Sequence, residues 1–347
     1  MEKIKIGILG VTGYTGRELV RILSSHPQGK VTYLGTSSAQ GKTYADIYPE
    51  TGGTYIGKLT LTDEREIPEL DVLFCALPHG LTAARAPDLL ARSAKVIDLG
   101  ADFRLRNSAD YELWYKIVHP TPALIEEAAY GIPELYRDRL RPKRLIANPG
   151  CYPTASLLAL VPLLEGGLIT ADLIVIDAKS GVSGAGRTAT PGVHFSEVDS
   201  GVKAYGVEGH RHVPEIEQAL VEAGGQPVRI SFTPHLIPMI RGMMTTIYVK
   251  TKEGVEEGDI RACWQKAYAE EPFIHLLPEG IWPSTKFSLG SNNAFLQVHL
   301  DRRTGRATVN ATLDNLMKGA SGQAVQNMNL ICGLPETLGL EYLGLWP

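Results

Sequence analysis

The chain reads as an α/β protein in which a doubly wound parallel sheet is followed by a second α+β domain with a mixed sheet. Three observations predict this. Short apolar runs alternate with helix-period stretches over residues 1–149, a glycine-rich loop joins the first run to the first helix, and after Asn148-Pro149-Gly150-Cys151 the apolar runs follow one another with fewer helices between them. At about 150 residues per domain, 347 residues make roughly two domains.

Residues 3–9 form a short buried strand, and 14–25 carry Leu19, Val20, Ile22 and Leu23 at the spacing of one helix face, closed by Pro27. Strands follow at 31–36, 71–77 and 95–99, with a helix at 81–92 and a fifth apolar run at 144–147. Strands alternating with helices imply parallel pairing. Beyond Cys151, strands are expected at 173–178, 228–233, 243–250, 294–300 and 307–313, with helices at 214–222 and 258–270. A last helix, about 320–332, follows Asn315 and is expected to return to the first domain.

Hydrophobic residues make 44% of the chain and charged ones 21%, enough to bury a sizeable core. Thirty-four Lys and Arg against 38 Asp and Glu leave a net charge of −4, which gives no electrostatic reason for a nucleic acid or an anionic membrane as partner. Cys75, Cys151, Cys263 and Cys332 are scattered, without the spacing of a zinc site or a disulfide framework, so a reducing compartment is expected. Gly7, Gly10, Gly13 and Gly16 break the amino-terminal apolar stretch before it could serve as a signal core. The longest uncharged run, 145–164, holds Asn148, Pro149, Pro153 and Pro162, which unfit it for a bilayer. The expectation is a soluble cytoplasmic protein.

Gly10-Val11-Thr12-Gly13-Tyr14-Thr15-Gly16 lies between the first strand and the first helix. Glycines let the backbone approach a pyrophosphate, and the helix offers its N–H groups and positive dipole end, so Gly10, Thr12, Gly13, Tyr14, Thr15 and Gly16 are candidate dinucleotide contacts. The first domain is then of Rossmann type. After the second strand stand Ser37, Ser38 and Lys42, with no carboxylate until Asp46. Hydroxyls and a lysine accommodate a 2′-phosphate where a carboxylate would repel it, which favours NADP over NAD. A solvated polar loop is the alternative.

Cys151 falls where a strand hands over to a helix whose first turn takes Pro153. A thiol there feels the positive end of the dipole, which favours the thiolate nucleophile; the alternative is a small buried hydrophobe. The other three cysteines read as packing. A thiolate reaction also needs a proton donor, and of nine histidines His210 and His212 stand out in Gly209-His210-Arg211-His212-Val213-Pro214-Glu215. Pro214 marks a helix start, placing Glu215 within reach of the His212 ring to orient it and raise its basicity. Alternatively, Glu215 satisfies backbone N–H groups. No third ligand accompanies the two histidines, so no metal is expected.

A second glycine loop, Ser180 to Arg187, suits a flat nicotinamide ring, with Ser183 and Gly184 as contacts. Asn315, ahead of the last helix, is counted with the cofactor-binding candidates. Arg104, after the fourth predicted strand, offers a planar fork of donors to a phosphate or carboxylate. Arg241 is a weaker anion-site candidate.

GVTGYTG at 10–16, DLGADFRL at 98–105, ANPGCYPTA at 147–155, SGVSGAGR at 180–187, GHRHVPEI at 209–216, FTPHLIPMIRG at 232–242 and DNLMKGASGQAVQN at 314–327 together resemble the N-acetyl-γ-glutamyl-phosphate reductases of arginine biosynthesis, within the aspartate-semialdehyde-dehydrogenase-like group. The resemblance runs through most of the chain. It implies an NADPH-dependent reductase acting on a small acyl phosphate, with Cys151 as nucleophile, His212 as acid/base, and a homodimer or homotetramer. It further implies a Cys151 thioester reduced to the semialdehyde, with Arg104 and Asn148 holding the phosphate or carbonyl oxygen and His210 touching substrate. The domains would be 1–149, dinucleotide-binding and completed by 316–347, and 150–315, catalytic and oligomerising. Gly100 departs from the serine expected of many relatives. A lysine-pathway paralogue reducing an aminoadipyl phosphate differs by one methylene, which these motifs do not read. A dinucleotide sensor without chemistry would need none of Cys151, His212 and Glu215.

Overall fold

In the computed structural model, which describes residues 2–346, β1 (Ile4–Leu9) runs through the glycine loop into α1 (Tyr14–Ser24). Leu19, Val20, Ile22 and Leu23 are buried, the face that their spacing predicts. Around β1 lie β2 (Gly29–Thr36), β3 (Leu61–Asp63), β4 (Leu70–Cys75), β5 (Ser93–Asp98), β6 (Ala129–Tyr130) and β7 (Leu145–Ala147), in the order β3-β2-β1-β4-β5-β7-β6. Every neighbouring pair is parallel. Strand order reverses between β1 and β4, the switch point at which α/β sheets bind ligands. β3 and β6 escaped the sequence because three and two residues carry no readable period. Helix α2 (Leu81–Arg92) covers β4 and β5, and its Ala83, Ala86 and Leu89 pack with Leu73, Cys75 and Val96 in the core. The helix Gly322–Ile331 packs against α1 and against the helix Pro133–Leu140. It starts later than expected, because Met317–Ser321 forms a π-helical turn first.

These residues, up to Pro149 and again over Ala320–Glu341, form one compact unit; Gly150–Gly319 and the chain from Tyr342 on form the other. The second unit is built on β8 (Ile174–Gly181), β9 (Lys203–Ala204), β10 (Ile230–Ile237), β11 (Met243–Lys250), β12 (Ile274–Leu276), β13 (Ala294–Asp301) and β14 (Arg306–Leu313). The order is β12-β13-β14-β11-β8-β10-β9, with β8/β10 and β12/β13 parallel and the other pairs antiparallel. The mixed sheet is thus as expected. β8 starts at Ile174, because Leu173 has a left-handed φ of 58°. It continues through Ser180 and Gly181, so the second glycine loop opens inside a strand.

Helix α3 (Cys151–Glu165) lies against β11 and β14, flanked by α4 (Val213–Gly224) and α5 (Glu257–Ala267). Residues 152–164 are buried all round, which accounts for the uncharged run there: a helix apolar on every face is a core helix. Among the described residues no helix is long and apolar enough to cross a membrane.

Candidate active site

In the first loop, Gly10 has φ +73°, and a Cβ on it would meet the Ala76 carbonyl, 2.8 Å from the carbon and nearer to the oxygen. A Cβ on Gly16 would lie 2.7 Å from Val11 Cα. Gly13 differs. It is the N-cap of α1, makes no side-chain cap, and a Cβ there would have nothing nearer than Gly10 O at 3.5 Å. Close contact therefore does not demand glycine at 13. Thr12 O accepts from the Tyr48 hydroxyl and Thr15 O from Ser321 Oγ, each at 2.9 Å, while Tyr14 stands exposed. Past β2, Ser37, Ser38 and Lys42 are exposed. The next acid along the chain, Asp46, accepts from Thr43 N–H at 2.7 Å and from Thr43 Oγ1 at 2.8 Å in a capping box. Those bonds hold its carboxyl below the usual range.

At the end of β5, Asp98 is buried and accepts from the N–H groups of Gly100 (3.0 Å) and Asp102 (3.2 Å). Burial, with the Asp102 charge beside it, pushes Asp98 up to about 7. A Cβ on Gly100 would come 2.9 Å from Asp98 Oδ1, so serine there requires the aspartate to move. Arg104, 7% exposed, donates from Nε to Asn148 O at 2.8 Å and from Nη2 to Leu99 O at 3.0 Å. Two donors of the expected anion fork thus hold main-chain carbonyls. Asn148, expected at the substrate, is 1% exposed, its Oδ1 accepts from Asn327 at 3.0 Å, and its Nδ2 donates to Ala320 O at 3.1 Å. Its side chain fastens the returning helix.

In the second unit, half-buried Cys151 opens α3 with Gly150 as N-cap. Burial pushes the Cys75 thiol well up, raises Cys263, and takes Cys332 to about 11, so none of these three has thiolate character. Gly150 N–H donates to Glu215 Oε1 at 2.8 Å, deep in the protein. His212 caps α4 at its start, with Pro214 in the first turn. Its Nε2 corner is turned to Gly150: a Cβ on that glycine would fall 2.9 Å from ring atoms Cδ2 and Cε1 and closer still to Nε2. Of the two sequence readings of Glu215, orienting the ring and satisfying backbone N–H groups, the second finds its partner in the Gly150 N–H.

His210 lies beside it, ring centroids 4.8 Å apart, and its Nδ1 accepts the His212 N–H at 3.1 Å. An accepting Nδ1 places any proton of the neutral ring on Nε2. Burial, with Arg211 nearby, pulls His210 down to about 4, so it is neutral at physiological pH. Tyr152, Tyr205 and Phe232 enclose the pair, and Tyr205 donates to the Tyr152 hydroxyl at 3.2 Å. Sequence reading passed over these three. Tyr152, next to Cys151, and Phe232, at the head of FTPHLIPMIRG, stood in quoted motifs, but nothing local marks Tyr205.

Ser183 and Gly184 sit in a 3-10 turn. Asn315 donates to Ser183 Oγ at 2.9 Å and accepts from Gly242 N–H at 2.8 Å, so this cofactor candidate ties two loops together. Arg241 is ion-paired to buried Asp314 at 3.0 Å, which accounts for it without an anion.

Residues 5–142 match the family described as semialdehyde dehydrogenase, NAD binding domain, and 151–315 match semialdehyde dehydrogenase, dimerisation domain. An N-acetyl-gamma-glutamyl-phosphate reductase of Heliobacterium modesticaldum is 49% identical, covering 99% of this chain and 100% of its own length. Another, of Symbiobacterium thermophilum, is 51% identical over 98% of each chain. In fold, aspartate semialdehyde dehydrogenase II of Vibrio cholerae superposes with a TM-score of 0.73 at 18% identity, covering 96% of this chain and 99% of that one.

Proposed function

The chain belongs to the N-acetyl-gamma-glutamyl-phosphate reductase family, and from that premise we propose that it reduces N-acetyl-γ-glutamyl phosphate to N-acetylglutamate semialdehyde and phosphate with NADPH, in arginine biosynthesis. The observation that carries the proposal is the His212 imidazole seated against Gly150, directly before the helix-opening Cys151.

The first unit suits the cofactor. Gly13 leaves a Cβ-sized space over the start of α1, where a pyrophosphate meets N–H groups and the dipole. Ser37, Ser38 and Lys42 are open to a 2′-phosphate; Asp46, the next carboxylate along the chain, is spent on its cap, and Asp63, beside Thr36 on β3, is held by Arg65. When bound, NADPH supplies the hydride.

Cys151 attacks the acyl carbonyl; the bond from that carbon to the phosphate oxygen breaks, phosphate leaves, and a thioester remains on sulfur. Its position at the first turn of α3 favours the thiolate. His212 accepts the thiol proton, and after reduction it moves the proton between the thiohemiacetal oxygen and the departing sulfur as the C–S bond breaks. His210, neutral and bonded through Nδ1, is a fixed Nε2–H donor toward substrate rather than a proton carrier. Glu215 completes the set. We place the protein in the cytoplasm, whose reducing pool keeps Cys151 a thiol, as a homodimer or homotetramer; the description of the family that spans 151–315 supports self-association.

A spectrophotometric assay in the reverse direction tests this. NADP reduction should require phosphate and proceed with N-acetylglutamate semialdehyde. Preference for the semialdehyde one methylene longer would move the chain to the aminoadipyl reaction.

A further inference from the structure

Helix α4 delivers two side chains to one glycine. His212 at its start places the Nε2 corner of its ring where a side chain of Gly150 would be, and Glu215, in the next positions of the same turn, takes the Gly150 N–H at 2.8 Å. The dihedrals of Gly150, φ −70° and ψ 155°, are open to any residue. Backbone conformation therefore does not demand glycine at 150; the imidazole does. Glu215 is fully buried, and the peptide N–H that its oxygen accepts at 2.8 Å is fixed in direction, since an N–H left unmet at that depth would be costly.

We propose that Glu215 and Gly150 are positioning residues: the carboxylate grips the peptide N–H immediately before Cys151, and the absent side chain lets His212 close on the same residue. The register of thiol and imidazole is set by one peptide group held from two sides. This rests on the reading of Cys151 and His212 as nucleophile and proton carrier. It differs from a triad in which the carboxylate acts by raising the basicity of the ring, because here what is needed from position 215 is an acceptor rather than a charge.

Glutamine keeps an acceptor oxygen in the same place and loses the charge, so it separates the two roles. The experiment is a pH series of Cys151 alkylation by iodoacetamide, which needs no substrate, alongside steady-state kinetics and a melting curve for each variant. Glu215→Gln should alkylate within a few-fold of the parent with an unmoved pH midpoint. Gly150→Ala, whose backbone is compatible with alanine, should stay folded, slow the alkylation, and lower kcat by about 10²-fold, the scale of a displaced acid/base, with KM for NADPH unchanged. Glu215→Ala should follow Gly150→Ala, and Glu215→Asp, which shortens the reach, should fall between. A Glu215→Gln variant whose midpoint shifts, or whose kcat falls as far as that of Glu215→Ala, overturns the acceptor role. Parent-like alkylation and kcat in Gly150→Ala overturn the seat. If His212→Asn alkylates like the parent, the dyad fails and the proposal with it. A protein that reduces some other acyl phosphate while showing the expected alkylation series leaves the positioning intact and corrects only the substrate.

Discussion

Two glycine turns open the two helices that matter most, and their glycines exist for different reasons. In the Gly10–Gly16 loop, Gly10 is required by its own positive φ and by the carbonyl of Ala76, and Gly16 by the close pass of Val11. The φ of Gly10 and the Val11 contact arise within one strand-loop-helix unit, while the Ala76 carbonyl comes from the end of the neighbouring β4. At Gly150 the backbone is ordinary, and the demand comes from the His212 side chain carried in on α4. The first turn is for the most part a local device: its positive φ and the Gly16 contact can be held in one sequence window. The second is assembled, and its meaning depends on chain far away.

The assembled turn is where single substitutions should cost most. Cys151→Ala should abolish turnover while leaving NADPH affinity close to the parent value, read by kinetics and by fluorescence titration; residual thioester-dependent activity would break the assignment. Next to it, His212→Asn should lower kcat by about 10²-fold or more, whereas His210→Asn, which removes a neutral donor, should act mainly on KM. The reverse pattern would exchange their roles.

The local turn can be dissected with one type of substitution. Gly10→Ala should destabilise the protein by about 1 to 3 kcal/mol from its φ alone, seen as a lower melting temperature. Gly13→Ala, with only an ordinary contact to Gly10 O and the small cost of alanine at an N-cap, should lower melting less than Gly10→Ala and weaken NADPH binding. Equal melting temperatures for the two variants would erase the distinction drawn between these glycines.

Ser38→Asp should narrow or reverse the preference for NADPH over NADH in kcat/KM, since a carboxylate repels the 2′-phosphate and accepts from a ribose hydroxyl. The smallest effect concerns acid. Burial holds the His210 pKa down to about 4 in the folded protein, against the ordinary imidazole value of 6.5 when unfolded, so the unfolded chain holds more protons between those values. Stability should fall as pH drops through that window and not change on this account above it. His210→Asn should flatten that slope in a series of melting curves.

The strand-helix alternation, the glycine loop, α1, α2 and the core helix α3 were legible because period, caps and breakers act within a few residues. Cys151 and the His210–His212 pair were legible as chemistry for the same reason. The committed bonds of Asn148, Arg104 and Asn315 were not. An exposed-looking polar side chain and a buried one spent on a carbonyl look alike in a sequence, and only the partner, here Asn327, Leu99 or Gly242, tells them apart.

By itself, the sequence determined the parallel and mixed sheets, the glycine loop between β1 and α1, and the place of Cys151 at a helix start, all of which follow from short-range propensity and pattern. Tertiary structure alone decided that Glu215 meets a peptide N–H rather than being read as a ring partner, that Gly150 is the seat of an imidazole, and that Tyr205 and Phe232 wall the histidines. Those facts depend on which faces of α3, α4 and β10 are brought together. Contacts between distant segments are fixed by packing, and packing leaves no mark on the spacing of residues along the chain.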